Sequence, residues 1–264
     1  MKIGILSKRT RLFTGKMSQY LESEGHFVKI YNQKDLIINE TLFDNDFYIL
    51  KSKSLFFIYA GHFLEANNIP VIPDPNISYM QKNRVNSHFL MKKVGLLRPD
   101  IFLGTSSTIK KQLKTKDFPL ILKPIIGSGS KGVKIIKSKK DINTENNSIV
   151  YLENFIAGTH YNVYFIENNI CVLIKPPLSH EHVPMEKIDT PNDIKAVIIR
   201  WREYFNQNVL FGHFDIVREK KSGKLYVVDV GSFPEFTNWK IDDISPVVSI
   251  SRLILQKVTE YQND

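Results

Sequence analysis

Two aspartates near the end of the chain stand in segments that otherwise have the composition of buried β-strands. Asp215 lies in FGHFDIV and Asp229 in KLYVVDV. If the intervening turn is a three-residue loop, 221–223, with Gly223 in the left-handed conformation, Asp215 stands directly opposite Asp229, with Cβ atoms about 4.5–5.5 Å apart. A two-residue turn would instead place the two acids on opposite faces of the sheet.

A facing pair of carboxylates predicts a metal site. Two such groups repel each other and lose hydration when half buried, so a cation must lie between them. Mg²⁺ prefers hard oxygen ligands and commonly takes one or two carboxylates together with substrate phosphates. We therefore expect Asp215 and Asp229 to bind Mg²⁺ and to take a direct part in catalysis.

The segment ILKPIIGSGSKGVKII carries a G-x-G-x-x-G pattern. In a dinucleotide-binding fold this pattern leads into a helix, whereas VKIIKS alternates like a strand. The pattern therefore predicts a hairpin lid that closes over nucleotide phosphates, and Lys123 on the entering strand could reach them. A solvated hairpin with a surface lysine is the alternative. The lid residues expected to contact the nucleotide are Gly127, Ser128, Gly129 and Ser130.

The elements that must position these residues follow from periodicity. The first 75 residues alternate between strands and helices, a βαβ pattern that implies a small parallel sheet. Helices follow at 83–94 and at STIKKQLK, and residues 118–175 have β periodicity. A helix at NDIKAVIIRWREYF, two strands and a final helix from about 246 complete the chain. The predicted plan is α/β followed by α+β.

Composition restricts the partners. The chain has 264 residues and a formal charge of +9, which favours anionic partners unless it only reflects a lysine-rich composition. Basic and aromatic residues do not interleave as a nucleic-acid surface requires, so we expect no nucleic acid. No apolar stretch approaches the roughly 20 residues of a membrane span. The single cysteine, Cys171, agrees with a reducing compartment. We expect a cytoplasmic monomer with a small anionic substrate.

The order of these features resembles the ATP-grasp superfamily. That resemblance implies an N-terminal α/β domain at 1–80, a central subdomain with the lid at 81–152 and a C-terminal α+β subdomain with the metal hairpin at 153–264. Within the superfamily the chain is similar to inositol-trisphosphate 5/6-kinase-type inositol polyphosphate kinases. The segments that carry the similarity are IPVIPDP, NRVNSHFL, LILKP, VYLENFI, VLIKPPLS, FGHFDIV and VVDVGSFP.

The resemblance implies ATP and Mg²⁺ as cofactors and assigns roles to further residues. Arg84 and Lys123 would bind nucleotide phosphates, and backbone groups near Glu153, Asn154 and Phe155 would read the adenine edge. His160, which precedes a strand, could also approach a phosphate. The residues expected to hold the phosphorylated substrate are Lys8, Arg9, Lys51, His160 and Lys175.

Three positions depart from the family pattern. Gly231 stands where an asparagine metal ligand is expected, Asn162 where a lysine is expected, and Glu235 where a glycine is expected. Because Gly231 has no side chain, Ser232, Glu235, water or a substrate phosphate would have to complete the octahedron around Mg²⁺.

The function these features predict is transfer of the ATP γ-phosphoryl group to a hydroxyl, or to a phosphate, of an inositol phosphate. An ATP-grasp ligase that joins a carboxylate to an amine through an acyl-phosphate is the alternative, since PEFTN at 234–238 is similar to the end of amino-acid-adding ligases. A non-enzymatic binder of nucleotide is a third reading, suggested by Gly231.

Overall fold

The computed structural model describes residues 1–10, 12–127, 131–142, 145, 148–176 and 185–263. The strands are β1 Lys2–Leu6, β2 Phe27–Tyr31, β3 Phe47–Leu50, β4 Val71–Ile72, β5 Ile101–Thr105, β6 Leu120–Lys123, β7 Lys134–Ile136, β8 Ile149–Asn154, β9 Gly158–Ile166, β10 Asn169–Lys175, β11 Glu186–Ile188, β12 Phe211–Glu219 and β13 Leu225–Gly231. The α-helices are α1 Phe13–Ser23, α2 Leu55–Ala66, α3 Pro75–Lys82, α4 Arg84–Lys93, α5 Ser106–Gln112, α6 Asn192–Tyr204 and α7 Pro246–Asn263.

The N-terminal strands form a four-stranded parallel sheet in the order β2-β1-β3-β4. Helix α1 connects β1 to β2, and helix α2 connects β3 to β4. Met17 and Leu21 of α1 and Phe57 and Leu64 of α2 form apolar faces that are fully buried. The predicted βαβ pattern is confirmed.

Two consecutive helices lead from this sheet to the next. Asp74 caps α3 by accepting a hydrogen bond from the Ile77 backbone N–H at 2.9 Å, and Asn83 caps α4 by accepting from Val85 at 3.0 Å. These caps satisfy backbone donors that a helix start leaves free. Helix α4 matches the predicted segment 83–94, whereas α3 was not predicted.

The central strands form an antiparallel sheet in the order β5-β8-β6-β7. Strands β6 and β7 flank the glycine-rich loop and pair directly, with Leu120 opposite Ile136. The strand, loop, strand arrangement is therefore confirmed, while Ser128, Gly129 and Ser130 lie outside the described residues.

The C-terminal strands form a five-stranded antiparallel sheet in the order β11-β10-β9-β12-β13. Its Tyr164 belongs to the same buried cluster as Ile3 and Ile5 of β1 and Ile250 and Ile254 of α7. The N-terminal sheet and the C-terminal sheet thus share one hydrophobic core, which fixes residues of the first sheet against the end of β13. None of the helices in the described ranges combines the length and apolarity needed to cross a bilayer.

Candidate active site

A cleft between the central and C-terminal sheets collects most of the residues predicted from the sequence. It encloses about 790 Å³, including space open to solvent. The predicted residues that line it are Arg84, Lys123, Glu153, Asn154, Phe155, His160, Lys175, Asp215 and Asp229. Their convergence from segments spread between 84 and 229 makes this cleft the candidate active site.

The two aspartates face each other on β12 and β13, as predicted, although the predicted register at the turn is wrong. Asp215 pairs with Asp229, but Arg218 pairs with Leu225, one residue away from the register that a three-residue loop would impose. A β-bulge between Asp215 and Ile216 restores the facing pair. Gly223 has the expected left-handed conformation, with φ of 71°.

The bulge also positions Lys123. Ile216 pairs with Val227 and Asp215 with Asp229, so Val228 is the extra residue of the bulged strand. The Lys123 ammonium donates a hydrogen bond to the Val228 carbonyl oxygen at 2.8 Å. A bulge that brings two acids to one face therefore also supplies an acceptor that anchors the cleft lysine.

A buried ion pair holds the same lysine from the other side. Lys123 Nζ lies 2.5 Å from Glu153 Oε2, and the two side chains are only 10% and 6% exposed. The Tyr151 hydroxyl donates to the other carboxylate oxygen of Glu153 at 2.7 Å. These contacts direct the ammonium across the cleft toward β13.

Asp215 has its own cationic partner. Lys175 on β10 donates to Asp215 Oδ1 at 2.5 Å. Burial alone would raise the pKa of Asp215, but Lys175 and the neighbouring His213 hold that pKa below its ordinary value. His160 lies opposite Lys175 in the β9/β10 ladder, and burial and Lys175 together lower its pKa. The carboxylate of Asp215 is therefore kept charged, as a metal ligand must be.

Arg84 contacts the first residues of the glycine-rich loop. Its guanidinium donates to the Pro124 carbonyl oxygen, and its backbone N–H donates to Ile125 at 2.9 Å. Gly127 allows this approach, because a Cβ atom there would overlap the Arg84 guanidinium. Lys82 donates to the Gly127 carbonyl oxygen at 3.2 Å. The base of the glycine hairpin is thus lined by two cations, as phosphate binding requires.

Comparisons with known proteins agree with this geometry. Residues 82–180 match a family model described as an ATP-grasp domain. A RimK domain ATP-grasp protein from Sphaerobacter thermophilus DSM 20745 superposes with a TM-score of 0.76 at 12% identity, covering 97% of this chain and 100% of its own. The chain has an ATP-grasp fold.

Two further solved structures share the ATP-grasp fold over the full length. D-alanine–D-alanine ligase from Bacillus anthracis, complexed with ATP, gives a TM-score of 0.73 at 20% identity, with 98% of this chain and 99% of that chain covered. The D-cycloserine synthetase DcsG gives 0.75 at 12% identity, with 98% and 100% covered. The curated proteins contain no match to the chain. One of these two structures is a ligase and the other a synthetase, and none of the three structures supports the finer resemblance to inositol polyphosphate kinases.

The strand that was expected to read adenine is already hydrogen bonded in part. The backbone N–H of Asn154 donates to Asp100 at 2.9 Å, and that of Phe155 donates to Pro119 at 3.4 Å. The side chain of Glu153 points to Lys123. A base bound beside this strand could therefore not use these two N–H groups as they stand.

Lys51 does not line the cleft, in contrast to its predicted role with substrate. Its side chain is 3% exposed, and its ammonium donates to Glu235 at 3.0 Å and to the Pro234 carbonyl oxygen at 3.2 Å. Burial lowers the pKa of Lys51 to about 8, even though the Glu235 carboxylate opposes this shift. Lys8 and Arg9 are exposed and lie outside the cleft lining. Lys51 therefore joins the N-terminal sheet to the segment after β13.

Lys53 is the residue that the sequence interpretation missed, although it lies in the same YILKSK segment as Lys51. A Cβ atom built on Gly231 would lie 2.6 Å from Lys53 Nζ and 2.7 Å from His213 Nδ1. Burial lowers the pKa of Lys53, and the carboxylates of Asp229 and Asp215 oppose that change. An ammonium thus occupies the space where the family pattern has a side chain.

The donor set fits a metal held jointly by protein and nucleotide. Within the described ranges, no group of three or more histidine, cysteine or acidic side chains could hold a metal by itself. Asp215 and Asp229 supply two carboxylates on one face, whereas Ser232, a predicted alternative ligand, lines a separate cavity beside Ile72 and Gln81. Mg²⁺ is commonly bound by such a pair when phosphates complete its shell.

Proposed function

We propose that the chain is an ATP- and Mg²⁺-dependent ligase that joins a carboxylate to an amine through an acyl-phosphate. The observation that carries this proposal is the facing pair Asp215 and Asp229 in one cleft with Lys123 and Arg84, beneath a glycine hairpin. The coverage of whole ligase chains by the whole of this chain supports the ligase reading over others.

The supply of free cations also favours a carboxylate substrate over a polyphosphate. Lys51, one of the residues expected to hold an inositol phosphate, has its donors occupied by Glu235 and two backbone carbonyl groups. Lys175 is engaged by Asp215 and, once released, would serve a phosphate of the nucleotide rather than one of the substrate. A single carboxylate needs one or two cationic partners, whereas a polyphosphate needs a larger set to offset its desolvation.

The reaction balances as two substitutions. A carboxylate oxygen attacks the γ-phosphorus of ATP, the bond to the β,γ-bridging oxygen breaks, and ADP leaves. The amine then attacks the acyl carbon, the bond to phosphate breaks, and the amine releases a proton. Such transfers depend mainly on positioning and charge neutralisation.

The chain's own residues supply that positioning. Lys123, fixed between Glu153 and Val228, would hold phosphate oxygens on one side of the cleft. Arg84 would hold them from beneath the lid. Lys175 would leave Asp215 for a phosphate oxygen when nucleotide enters. Mg²⁺ held by Asp215 and Asp229 would neutralise charge on the transferred group.

A second candidate is the kinase reading, in which an inositol phosphate accepts the phosphoryl group. The exposed Lys8 and Arg9 and the formal charge of +9 favour an anionic substrate of this kind.

One experiment separates the two. The protein is incubated with γ-labelled ATP, Mg²⁺ and either carboxylates with hydroxylamine or a series of inositol phosphates. A ligase gives a hydroxamate with stoichiometric ADP and labelled inorganic phosphate, because hydroxylamine traps the acyl-phosphate. A kinase gives label on the inositol phosphate and no release of inorganic phosphate.

The control is Asp229→Asn, which removes one charge at the metal pair and keeps the side-chain volume. It should abolish either product while circular dichroism stays unchanged. Turnover that survives this substitution would refute both candidates.

A further inference from the structure

The ammonium of Lys53 is placed on the same sheet face as the carboxylate pair. Gly231 follows Asp229 by two residues on β13, and residues two apart along a strand project to the same side. Lys53 Nζ occupies the side-chain position of Gly231, at 2.6 Å from where its Cβ would be. Lys53 therefore reaches, from the loop after β3, the surface that Asp229 and Asp215 present.

The Lys53 ammonium remains available to a ligand. Lys53 is partly buried and makes no hydrogen bond or ion pair with any residue that the structure describes. Its neighbour Lys51 is engaged by Glu235, so the third acid of this region is already paired. The carboxylates of Asp229 and Asp215 attract this partly desolvated ammonium, but no acceptor among the described residues is hydrogen bonded to it, so an anionic ligand would offset its lost hydration.

The charges around the pair leave room for one dication rather than two. Asp215 and Asp229 contribute two negative charges and Lys175 and Lys53 two positive charges, while the nearby ion pairs Lys123–Glu153 and Lys51–Glu235 each add no net charge. A metal that arrives with nucleotide can displace Lys175 from Asp215, because Lys175 gains a phosphate oxygen in exchange. A second metal at Gly231 would find an ammonium in its place and no side-chain oxygen to bind it.

We propose that Lys53 takes the place of a second divalent cation, so that the site binds one Mg²⁺ per nucleotide and Lys53 contacts the transferred phosphoryl group. This inference rests on the proposed ATP-dependent function. The ammonium would act on the phosphoryl oxygens through hydrogen bonds and charge, and it neither gains nor loses a covalent bond. Gly231 is then required because any side chain there would displace the ammonium.

The test counts metal ions rather than turnover. Bound Mn²⁺ per chain is measured by electron paramagnetic resonance at saturating non-hydrolysable ATP analogue, AMPPNP. The unmodified chain should bind one Mn²⁺, and Lys53→Asn should bind two, because it removes a positive charge and adds an oxygen ligand. Lys34→Met, which removes an exposed lysine far along the N-terminal domain, should bind one.

A kinetic readout accompanies the count. Lys53→Met should lower kcat about 10²–10³-fold, as loss of a preorganised donor to a developing charge does, with the KM for ATP changed less than about threefold. Lys53→Arg should recover part of the loss.

Two Mn²⁺ per nucleotide in the unmodified chain would overturn the inference while leaving the proposed function intact. One Mn²⁺ in both the unmodified chain and Lys53→Asn would also overturn it, since the ammonium would then not be what excludes a second ion. No binding of AMPPNP with Mn²⁺ would instead refute the ATP-dependent function itself.

Discussion

Substituting Glu153 by glutamine removes the charge that faces the Lys123 ammonium while keeping an oxygen that can accept its hydrogen bond. The pair is separated by 2.5 Å, and its side chains are 6% and 10% exposed, so solvent screens it weakly. Removing one partner of a buried pair costs about 3–5 kcal/mol because the other charge stays buried. Glutamine retains part of the contact, and we therefore expect Glu153→Gln to lower the free energy of unfolding by about 2–3 kcal/mol.

The assay is a double-mutant cycle by urea unfolding. Glu153→Gln, Lys123→Met and the double variant are compared with the unmodified chain. Once Lys123 is absent, the charge of Glu153 stabilises nothing, so the double variant should be more stable than the sum of the single effects by about 2 kcal/mol. Tyr151→Phe is the matched control, because it removes a hydrogen bond to the same carboxylate and leaves the ion pair; it should cost about 1–2 kcal/mol.

Nucleotide affinity gives the functional half of this prediction. Lys123→Met should weaken AMPPNP binding about 10- to 100-fold, which corresponds to the loss of one hydrogen bond to a charged group. Glu153→Gln should weaken binding less, because the Val228 carbonyl still orients the ammonium. Additive effects on stability, or a cost below about 1 kcal/mol for Glu153→Gln, would refute the reasoning that the pair is a single buried unit.

Three further changes test other contacts. The pKa of Lys51 falls from 10.5 to about 8 on folding, so the unfolded chain binds more protons between these two pH values. The free energy of unfolding should therefore rise with pH across this window, by roughly 3 kcal/mol more in the unmodified chain than in Lys51→Met. Urea unfolding measures the difference. Gly158→Ala should lower the free energy of unfolding by about 3 kcal/mol, because its Cβ would overlap a backbone carbonyl of β12. Its control is Gly25→Ala, where φ is 85° and the surrounding space is open; this change should lower the free energy of unfolding by only about 1 kcal/mol, through backbone strain. Gly231→Ala should lower the thermal midpoint modestly, because its Cβ would meet the His213 ring at 2.7 Å as well as the flexible Lys53 ammonium at 2.6 Å, and it should lower turnover about as much as Lys53→Met does.

Helices and strands whose own residues show the apolar periodicity or the flanking glycines could be predicted from the sequence. Helices α1, α6 and α7 carry apolar stripes, and β6 and β7 flank glycines, so periodicity was sufficient. Strands β5 and β11 were missed because their sequences, IFLGT and EKI, show no alternation of apolar and polar residues. Helix α3 begins at Pro75, because proline is favoured at the first position of a helix, but its eight residues carry no clear apolar stripe that would predict it.

The facing aspartates show that a correct prediction can rest on an incorrect derivation. The turn spans 220–223, with Glu219 bonded to Lys224, so a regular ladder would have placed Asp229 on the other face from Asp215. The bulge at Val228 compensates by one residue. A bulge arises from contacts beyond its own strand, here including the Lys123 ammonium, and so leaves no local signal in VVDVG.

Gly231 poses the same problem for function. Along its strand, a glycine in place of a metal ligand indicates lost chemistry, because no other residue of VVDVGSFP fills the position. In three dimensions the space beside Gly231 is filled by Lys53, which lies in the loop after β3. The ion pair of Lys51 with Glu235 holds the start of this loop against the segment after β13. The positive charge near Asp229 is thus supplied by a different sheet, and its presence depends on a shared core that no local pattern encodes. From a single sequence, a glycine at 231 looks the same whether a function has been lost or a distant side chain has taken over the position. The position of the Lys53 ammonium distinguishes the two cases.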